Sequence, residues 1–204
     1  MPIKALMVDL DGVIVVHPDP KGWSVNLERD LGLSAERLQE AFFKPHFGDI
    51  IHGRADLYDR LGPVLTQIAP HLSAETLVNY WFEQDAHLDH DLLDQLARVR
   101  SLGVELHLAT VQEHRRADYL WRTLGLRERF DAMHYAADLG WAKPAAEFYA
   151  EVEVRTGFAP AELFFIDDKV ANVDSARACG WNAAVWTGEH RLVDLMNEAG
   201  VEIL

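Results

Sequence analysis

A nearly uninterrupted apolar run near the start of the chain constrains its fold more than any other feature. Residues 3–8 read Ile-Lys-Ala-Leu-Met-Val, and the run ends abruptly in Asp9 and Asp11. Such a run is typical of a strand that is buried on both faces, as in a parallel sheet. We therefore predict a buried strand that delivers two carboxylates at its carboxyl end.

Three later apolar runs alternate with amphipathic stretches of helical length. Each run follows a turn or boundary signal and is succeeded by a polar residue. Strands that alternate with helices predict an α/β fold with a Rossmann-like, mostly parallel sheet. The predicted strands cover residues 104–109, 163–166 and 183–186, and the predicted helices cover residues 91–101, 113–124, 145–156 and 170–179.

The stretch 18–90 has a different pattern. It lacks a convincing buried strand and shows helical periodicity, and Ser34 and Ser73 stand where helix N-caps are expected. We interpret it as a small helical cap inserted after the first strand. The sheet core would then comprise residues 1–17 and 91–204.

Composition limits the classes of partner. Among 204 residues, 19 are Lys or Arg and 33 are Asp or Glu, so the formal net charge is −14. Nucleic acids and anionic membranes attract positive surfaces, so we expect this chain to bind neither. No apolar stretch approaches the roughly 20 residues of a membrane span. The single cysteine, Cys179, excludes an internal disulfide and favours a reducing compartment, so we expect a cytoplasmic location.

The residues at the predicted strand ends carry the chemistry, because ligands of open parallel sheets bind at the carboxyl ends of the strands. The second strand ends in Thr110, a later one ends in Asp167 and Asp168, and Lys143 precedes that later strand. Together with the two acids of the first strand, four carboxylates are expected at one edge. One lysine cannot offset four acids, since two unit charges about 4 Å apart repel by roughly 4 kcal/mol at an effective dielectric of about 20. The pattern predicts a divalent cation, and all-oxygen ligation favours Mg²⁺.

A cation held by acids and flanked by a hydroxyl and a lysine is suited to receive a phosphoryl group. Asp9 and Asp11 are close enough in sequence to face the same space in different roles. One carboxylate can attack phosphorus and form an acyl phosphate. The other can protonate the leaving oxygen and later activate water.

Four short motifs occur in order along the chain, and they are Asp9-Leu10-Asp11-Gly12-Val13, Thr110, Lys143-Pro144 and Phe165-Ile166-Asp167-Asp168. In this order they resemble the motifs of the haloacid dehalogenase (HAD) superfamily. The insertion after the first motif resembles the helical cap of its first cap class. The stretch Asp138-Leu139-Gly140-Trp141-Ala142-Lys143-Pro144 and the residues around the last motif are similar to the branch that contains glucose-1-phosphate phosphatase and the N-terminal phosphatase domain of soluble epoxide hydrolase.

The resemblance implies a role for each motif residue. Asp9 would be the nucleophile and Asp11 the general acid and base. Thr110 and Lys143 would hold the phosphoryl oxygens. Thr110 is followed by Val111-Gln112, whereas the nearest relatives usually have Asn directly after this position.

The resemblance also implies a set of metal ligands. Asp9, the backbone carbonyl of Asp11 and Asp168 would bind Mg²⁺ directly. Asp167 would either share the water shell of the metal, serve as the alternate ligand, or pair with Lys143.

These implications favour a Mg²⁺-dependent phosphatase that hydrolyses a small phosphorylated metabolite, such as a sugar phosphate, through an aspartyl phosphate. Arg54 in the cap is a candidate for substrate binding. Dehalogenases of the superfamily lack an acid at the position of Asp11, so its presence favours a phosphatase over a dehalogenase. A phosphomutase on the same fold and a phosphoacceptor signalling module are competing hypotheses. The oligomeric state is not evident from the sequence.

Overall fold

A computed structural model describes residues 2–19 and 22–200. Within these residues, five parallel strands form one sheet in the order β3-β2-β1-β4-β5, with the first strand at its centre. Helices flank the sheet, and the predicted α/β class with a Rossmann-like parallel sheet is confirmed. The strands are β1 (Ala5–Val8), β2 (Glu105–Thr110), β3 (Ala132–Tyr135), β4 (Leu163–Asp167) and β5 (Asn182–Val185).

The register of the central strands aligns their carboxyl ends. Val8 in β1 pairs with Leu108 in β2 and with Ile166 in β4. The backbone N–H of Asp9 donates to the carbonyl of Ile166 at 2.9 Å. The polar residues that follow these positions therefore emerge at one edge of the sheet, as the sequence predicts.

The sheet is buried on both faces because alternate residues of each strand enter different apolar layers. Leu6 and Val8 pack into one layer with α6 (His90–Ser101) and α11 (Leu192–Glu198). Ala5 and Met7 pack into the other layer with α9 (Ala146–Thr156) and α10 (Val170–Ala178). This double burial explains why β1 reads as a continuous apolar run rather than an alternating one. The helices outside the insertion are α6 (His90–Ser101), α7 (His114–Asp118), α8 (Ala136–Leu139), α9 (Ala146–Thr156), α10 (Val170–Ala178) and α11 (Leu192–Glu198).

One strand, β3, has no counterpart among the predicted strands. It lies at an edge of the sheet and pairs with β2 alone. Of its four residues Ala-Met-His-Tyr, only His134 is buried. An edge strand that is only partly buried does not require a continuous apolar run. The sequence of β3 therefore lacks the pattern that identifies the other four strands.

The helices between β1 and α6, which we call the inserted helices, have an apolar cluster of their own, whose buried members all lie between Leu27 and Phe82. The Ser34 hydroxyl accepts the Arg37 backbone N–H at 3.4 Å, and the Ser73 hydroxyl accepts that of Thr76 at 3.0 Å, so both serve as N-caps. A 3₁₀ turn (Trp23–Asn26) is followed by α1 (Leu27–Leu31), α2 (Ala35–Leu38), a π-helical turn (Gln39–Phe43), α3 (Lys44–Ile51), α4 (Leu57–Ile68) and α5 (Ala74–Gln84). No helix in the described part of the chain is long and apolar enough to cross a bilayer.

Two adjacent segments connect these helices to the sheet. Val15 in the outgoing segment forms β-bridges with both Asp11 and Leu88. The backbone N–H of Val16 donates to the carbonyl of His87 at 2.9 Å. The loop that carries Asp11 is thus joined directly to the segment that returns from α5.

A buried histidine pair on β2 and β3 predicts a stability that depends on pH. His134 Nε2 lies 3.1 Å from His107 Nδ1, and burial lowers the pKa of His134 to about 4. Between about pH 6.5 and pH 4 the unfolded state binds the extra proton, so the free energy of unfolding decreases as the pH falls through this window. The expected loss from His134 is about 3 kcal/mol.

Urea unfolding of the wild type and of His134→Phe across this pH range tests the prediction. The variant keeps an aromatic ring but has no site to protonate, so its free energy of unfolding should fall less steeply with decreasing pH. The exposed His190 provides the control, and His190→Gln should retain the wild-type slope. Equal slopes for the wild type and His134→Phe would contradict the assignment.

Candidate active site

A buried lysine lies between two carboxylates at the carboxyl edge of the sheet. Lys143, in the loop between α8 and α9, places its Nζ atom 2.8 Å from Asp9 Oδ1 and 2.6 Å from Asp167 Oδ2. Its side chain is 1% exposed, and the ammonium lies 5.0 Å from the ring centroid of Phe165. The three predicted residues therefore form one desolvated charge cluster.

The pKa values of the two acids in this cluster are shifted in opposite directions. Burial raises the pKa of Asp9 above its ordinary value, and the nearby Asp167 raises it further, although Lys143 opposes both effects. Burial also acts to raise the pKa of Asp167, but Lys143 and hydrogen bonds hold that pKa below its usual range. Asp167 is thus the firmly ionised partner of Lys143, whereas the negative charge on Asp9 needs further stabilisation.

Asp167 uses both of its oxygens in fixed hydrogen bonds. Its Oδ1 accepts the Lys169 backbone N–H at 2.8 Å, and the Asn172 side-chain amide is 3.0 Å from Oδ1 and 2.9 Å from Oδ2. The Tyr149 hydroxyl in turn donates to the Asn172 carbonyl at 2.7 Å. These contacts favour pairing with Lys143 over direct metal ligation for Asp167.

Three carboxylates in this edge meet the geometric requirement for a shared cation. Asp9, Asp167 and Asp168 each offer one oxygen, and these oxygens all lie within 4.8 Å of one another. Lys143 supplies one positive charge against three negative ones, and Asp168 is exposed to solvent. An all-oxygen donor set with a surplus of negative charge fits a hard divalent cation such as Mg²⁺.

A glycine brings Asp168 close to the loop after β1. Gly12 has a φ of +83°, and a Cβ atom at this position would lie 2.7 Å from Asp168 Oδ2 and 2.8 Å from Asp168 Cγ. Both the left-handed conformation and the close approach require a residue without a side chain. Gly12 therefore sets the distance between the first and last motifs.

Gly12→Ala is expected to lower catalytic turnover by about a hundredfold, because a displacement of roughly 1 Å in a reacting group costs this much. Gly125→Ala is the matched control, since Gly125 has a similar φ of +77° but a Cβ atom there would meet nothing within 4 Å. Steady-state rates and urea midpoints of both variants measure the effect. Equal activity in the two variants would show that the approach to Asp168 is unimportant.

Asp11 is held by residues that follow β2. Gln112 Nε2 donates to Asp11 Oδ2 at 2.6 Å, and Arg116 Nη2 lies 3.3 Å from Asp11 Oδ1. Thr110, which is buried at the end of β2, lies with its hydroxyl 3.5 Å from the same Gln112 amide. Gln112 thus connects the hydroxyl to the second acid.

The sequence alone does not identify Gln112 or Arg116 as site residues. Gln112 occurs where the family pattern differs, which is the one available signal. The start of α7 is fixed by Glu113, a buried N-cap whose carboxylate accepts the backbone N–H groups of Arg115 and Arg116. An arginine in a short helix carries no mark of burial, so Arg116 can be recognised only in the folded chain.

Arg54 is not brought to this cluster. It lies after α3 and pairs with Asp49 at 3.0 Å, and its side chain is 59% exposed. The neighbouring Gly53 lies against α8 next to the sheet, since a Cβ atom at Gly53 would lie 2.3 Å from the carbonyl oxygen of Ala137. The loop that carries Arg54 therefore touches the sheet core, but in the described residues Arg54 itself contacts none of the predicted catalytic residues.

Two characterised proteins are similar to this chain along most of its length. A phosphorylated carbohydrates phosphatase from Thermotoga maritima is 25% identical over 187 residues, covering 87% of this chain and 82% of the relative. A phosphoglycolate phosphatase from Chromobacterium violaceum is 29% identical over 194 residues, with the same coverage of both chains.

Solved structures share the fold at lower identity. A HAD family enzyme from Bacteroides thetaiotaomicron, in a magnesium complex, has a TM-score of 0.79 at 20% identity and covers 96% of this chain and 99% of its own. A HAD-like family hydrolase from Porphyromonas gingivalis has a TM-score of 0.76 at 20% identity and covers 99% and 100%. The family model of haloacid dehalogenase-like hydrolases matches residues 3–180, and the chain therefore belongs to this family of hydrolases.

Proposed function

We propose that this hydrolase is a Mg²⁺-dependent phosphatase that acts on small phosphorylated metabolites, with sugar phosphates as the leading class. The observation that carries the proposal is the cluster of Asp9, Lys143, Asp167 and Asp168, with the second acid Asp11 in the same loop as Asp9. The names of the two phosphatase relatives support the reaction class and the substrate class. The Bacteroides thetaiotaomicron enzyme was crystallised with magnesium and inorganic phosphate, which supports the same ligands here.

The first chemical step uses Asp9 as the nucleophile. A carboxylate oxygen of Asp9 attacks phosphorus, and the bond between phosphorus and the leaving oxygen breaks. Asp11 donates its proton to that leaving oxygen, so an alcohol departs instead of an alkoxide. Thr110 and Lys143 bind the phosphoryl oxygens and offset their negative charge.

The second step releases phosphate and restores the enzyme. Asp11, now ionised, takes a proton from a water molecule, and the water oxygen attacks phosphorus. The bond from phosphorus to the Asp9 oxygen breaks, which returns Asp9 to its carboxylate form. Inorganic phosphate leaves, and Asp11 is again protonated for the next cycle.

Asp9, Asp168 and the backbone carbonyl of Asp11 are the proposed metal ligands. Asp167 is the proposed partner of Lys143, because its oxygens already accept hydrogen bonds from Lys169 and Asn172. When bound, Mg²⁺ would supply positive charge that stabilises the ionised carboxylates and the phosphoryl oxygens.

Removal of divalent cations is expected to abolish turnover reversibly. Dialysis against EDTA should lower phosphate release from p-nitrophenyl phosphate by at least about a hundredfold, because the excess negative charge at the site then repels the substrate. Added MgCl₂ should restore the rate. Full activity in EDTA would exclude the metal-dependent mechanism.

The presence of Asp11 favours phosphate esters over haloacids as substrates. An alkoxide needs a proton to leave, whereas a halide departs without one, so a dehalogenase has no use for an acid at this position. Phosphate release from a panel of phosphorylated metabolites, beside halide release from a haloacid, tests this choice. Halide release without phosphate release would reverse it.

We further propose that residues 18–90 form a cap that selects the substrate, while residues 1–17 and 91–204 form the catalytic core. The separate apolar cluster of the inserted helices and the two paired connecting segments support this division. Arg54 is the proposed substrate-binding residue of the cap, because its side chain is exposed and it directly follows Gly53, which contacts the core at Ala137.

A further inference from the structure

Arg116 is a buried cation that takes no part in either of the two proposed chemical steps. Its side chain is 3% exposed, and its guanidinium carbon lies 5.9 Å from the ring centroid of Trp81 and 5.7 Å from that of Phe82. Both rings belong to α5, the last of the inserted helices. Arg116 itself lies on α7 of the sheet core, so its side chain extends from one part of the molecule into the other.

The guanidinium joins the second acid to the end of α5. Arg116 Nη2 lies 3.3 Å from Asp11 Oδ1 and 2.9 Å from Asp85 Oδ2, and it donates to the Asp85 carbonyl at 3.0 Å. Asp85 immediately follows α5 and begins the segment that returns to the sheet. The same arginine therefore contacts the acid of the catalytic loop and both the side chain and the backbone at the boundary of the inserted helices.

These contacts complete the support of the Asp11 carboxylate. Gln112 holds one oxygen of Asp11 at 2.6 Å, and Arg116 faces the other. The Asp11 side chain is nevertheless 48% exposed, so it remains accessible to a substrate. The Asp11 carboxylate is therefore oriented by two neighbours and still open to solvent, as a proton donor that must point in one direction requires.

One hydrogen-bond donor of Arg116 is unpaired, which argues against a purely structural role for this residue. Arg116 Nη1 is buried and has no hydrogen-bond partner among the described residues. A buried donor that lacks a hydrogen-bond partner lowers the stability of the fold. A purely structural arginine at this position would be expected to have all of its donors paired.

We propose that Arg116 is a positioning residue, which orients Asp11 toward the leaving group and connects that orientation to the position of α5 through Asp85. The proposal rests on the proposed phosphatase function. Because Arg116 acts through Asp11, its contribution should depend on how much the leaving group needs a proton. A nitrophenolate leaves readily without one, whereas the alkoxide of a sugar or alkyl phosphate does not.

Turnover of two substrates by Arg116→Ala tests this dependence. With an alkyl or sugar phosphate, kcat should fall at least about tenfold more than with p-nitrophenyl phosphate, since general acid catalysis contributes about 10²–10⁴-fold. Arg116→Lys, which retains the charge, should recover part of the loss, and added guanidinium should partly rescue Arg116→Ala on the alkyl substrate alone.

Arg115→Ala provides a matched control. Arg115 is the neighbour of Arg116 on α7 and also binds an acid of the inserted helices, Asp56, at 2.7 Å, but no contact connects it to Asp11 in the described part of the chain. This variant should change the rates on both substrates by the same factor. It therefore separates the loss of a contact to the inserted helices from the loss of the contact to the proton donor.

A second readout does not depend on turnover. Arg116→Ala and Asp11→Asn should shift the urea midpoint of unfolding non-additively, because the two residues are in contact. Arg115→Ala and Asp11→Asn should be additive.

The outcomes separate this proposal from the proposed function. If the wild type hydrolyses both substrates but Arg116→Ala is impaired equally on each, or if the urea midpoints are additive, the role of Arg116 is wrong and the phosphatase function stands. If the wild type hydrolyses no phosphate ester, both are wrong.

Discussion

Asp9→Asn is expected to reduce phosphate release from p-nitrophenyl phosphate by at least about 10⁴-fold, the scale at which loss of a nucleophile is felt in covalent catalysis. The amide cannot form an acyl phosphate, and it is a much weaker nucleophile than a carboxylate. Burial already raises the pKa of Asp9, so a neutral isostere should be accommodated without loss of the fold. Stopped assays with excess Mg²⁺ measure the rate, and circular dichroism checks the fold.

Asp174→Asn is the control for this substitution. Asp174 lies on α10 with its side chain 65% exposed, and it should retain wild-type turnover. An Asp9→Asn protein that is folded and retains more than a few per cent of the wild-type rate would contradict the role of Asp9 as nucleophile.

Lys143→Met is expected to cause the largest loss of stability. It leaves Asp9 and Asp167 buried without their shared cation, and removal of one partner from a buried ion pair costs about 3–5 kcal/mol. The measurement is urea unfolding in EDTA near pH 8, where no metal compensates for the lost charge. Turnover with Mg²⁺ should also fall, because Lys143 is proposed to bind the phosphoryl oxygens.

The pH dependence of this loss has a definite sign. Without Lys143, the pKa of Asp9 rises further above its unfolded value, and the pKa of Asp167 loses the main interaction that holds it below its usual range. The folded variant therefore takes up protons at a higher pH than the wild type does. The difference in the free energy of unfolding between variant and wild type should therefore shrink from pH 8 towards pH 5.

Lys44→Met is the control, because Lys44 forms an exposed pair with Glu40 that is worth about 0.3–0.5 kcal/mol. A Lys143→Met protein as stable as this control would contradict the central position of Lys143.

The sheet and the polar residues at its carboxyl edge could be predicted from the local sequence, because buried parallel strands produce two recognisable sequence patterns. Burial on both faces produces the apolar run of β1, and the parallel arrangement brings the residues after Val8 and Ile166 to one edge. Strand β3 shows no such pattern, since it is an edge strand that pairs with β2 alone and only one of its four residues, His134, is buried.

The support of Asp11 could not be predicted, because it depends on contacts between residues far apart in sequence. Gln112 and Arg116 lie on either side of Glu113, the N-cap of α7, and they contact Asp11 because α7 begins at this residue. Asp85, which also binds Arg116, comes from the end of the inserted helices. Helical periodicity predicts neither the burial of Arg116 nor its partners. The same reason applies to Gly12, whose close approach to Asp168 joins the first and last motifs.

A burst experiment detects the proposed covalent intermediate on Asp9. Asp11→Asn, mixed with Mg²⁺ and dinitrophenyl phosphate, should form the acyl phosphate without needing a proton for the leaving group, but should hydrolyse it slowly for lack of a base. We expect a rapid release of one dinitrophenolate per site, a slow steady state, and one hydroxylamine-sensitive phosphoryl group that mass spectrometry maps to Asp9. Dinitrophenolate release in step with phosphate from an unlabelled protein, or a label on any other residue, would contradict it.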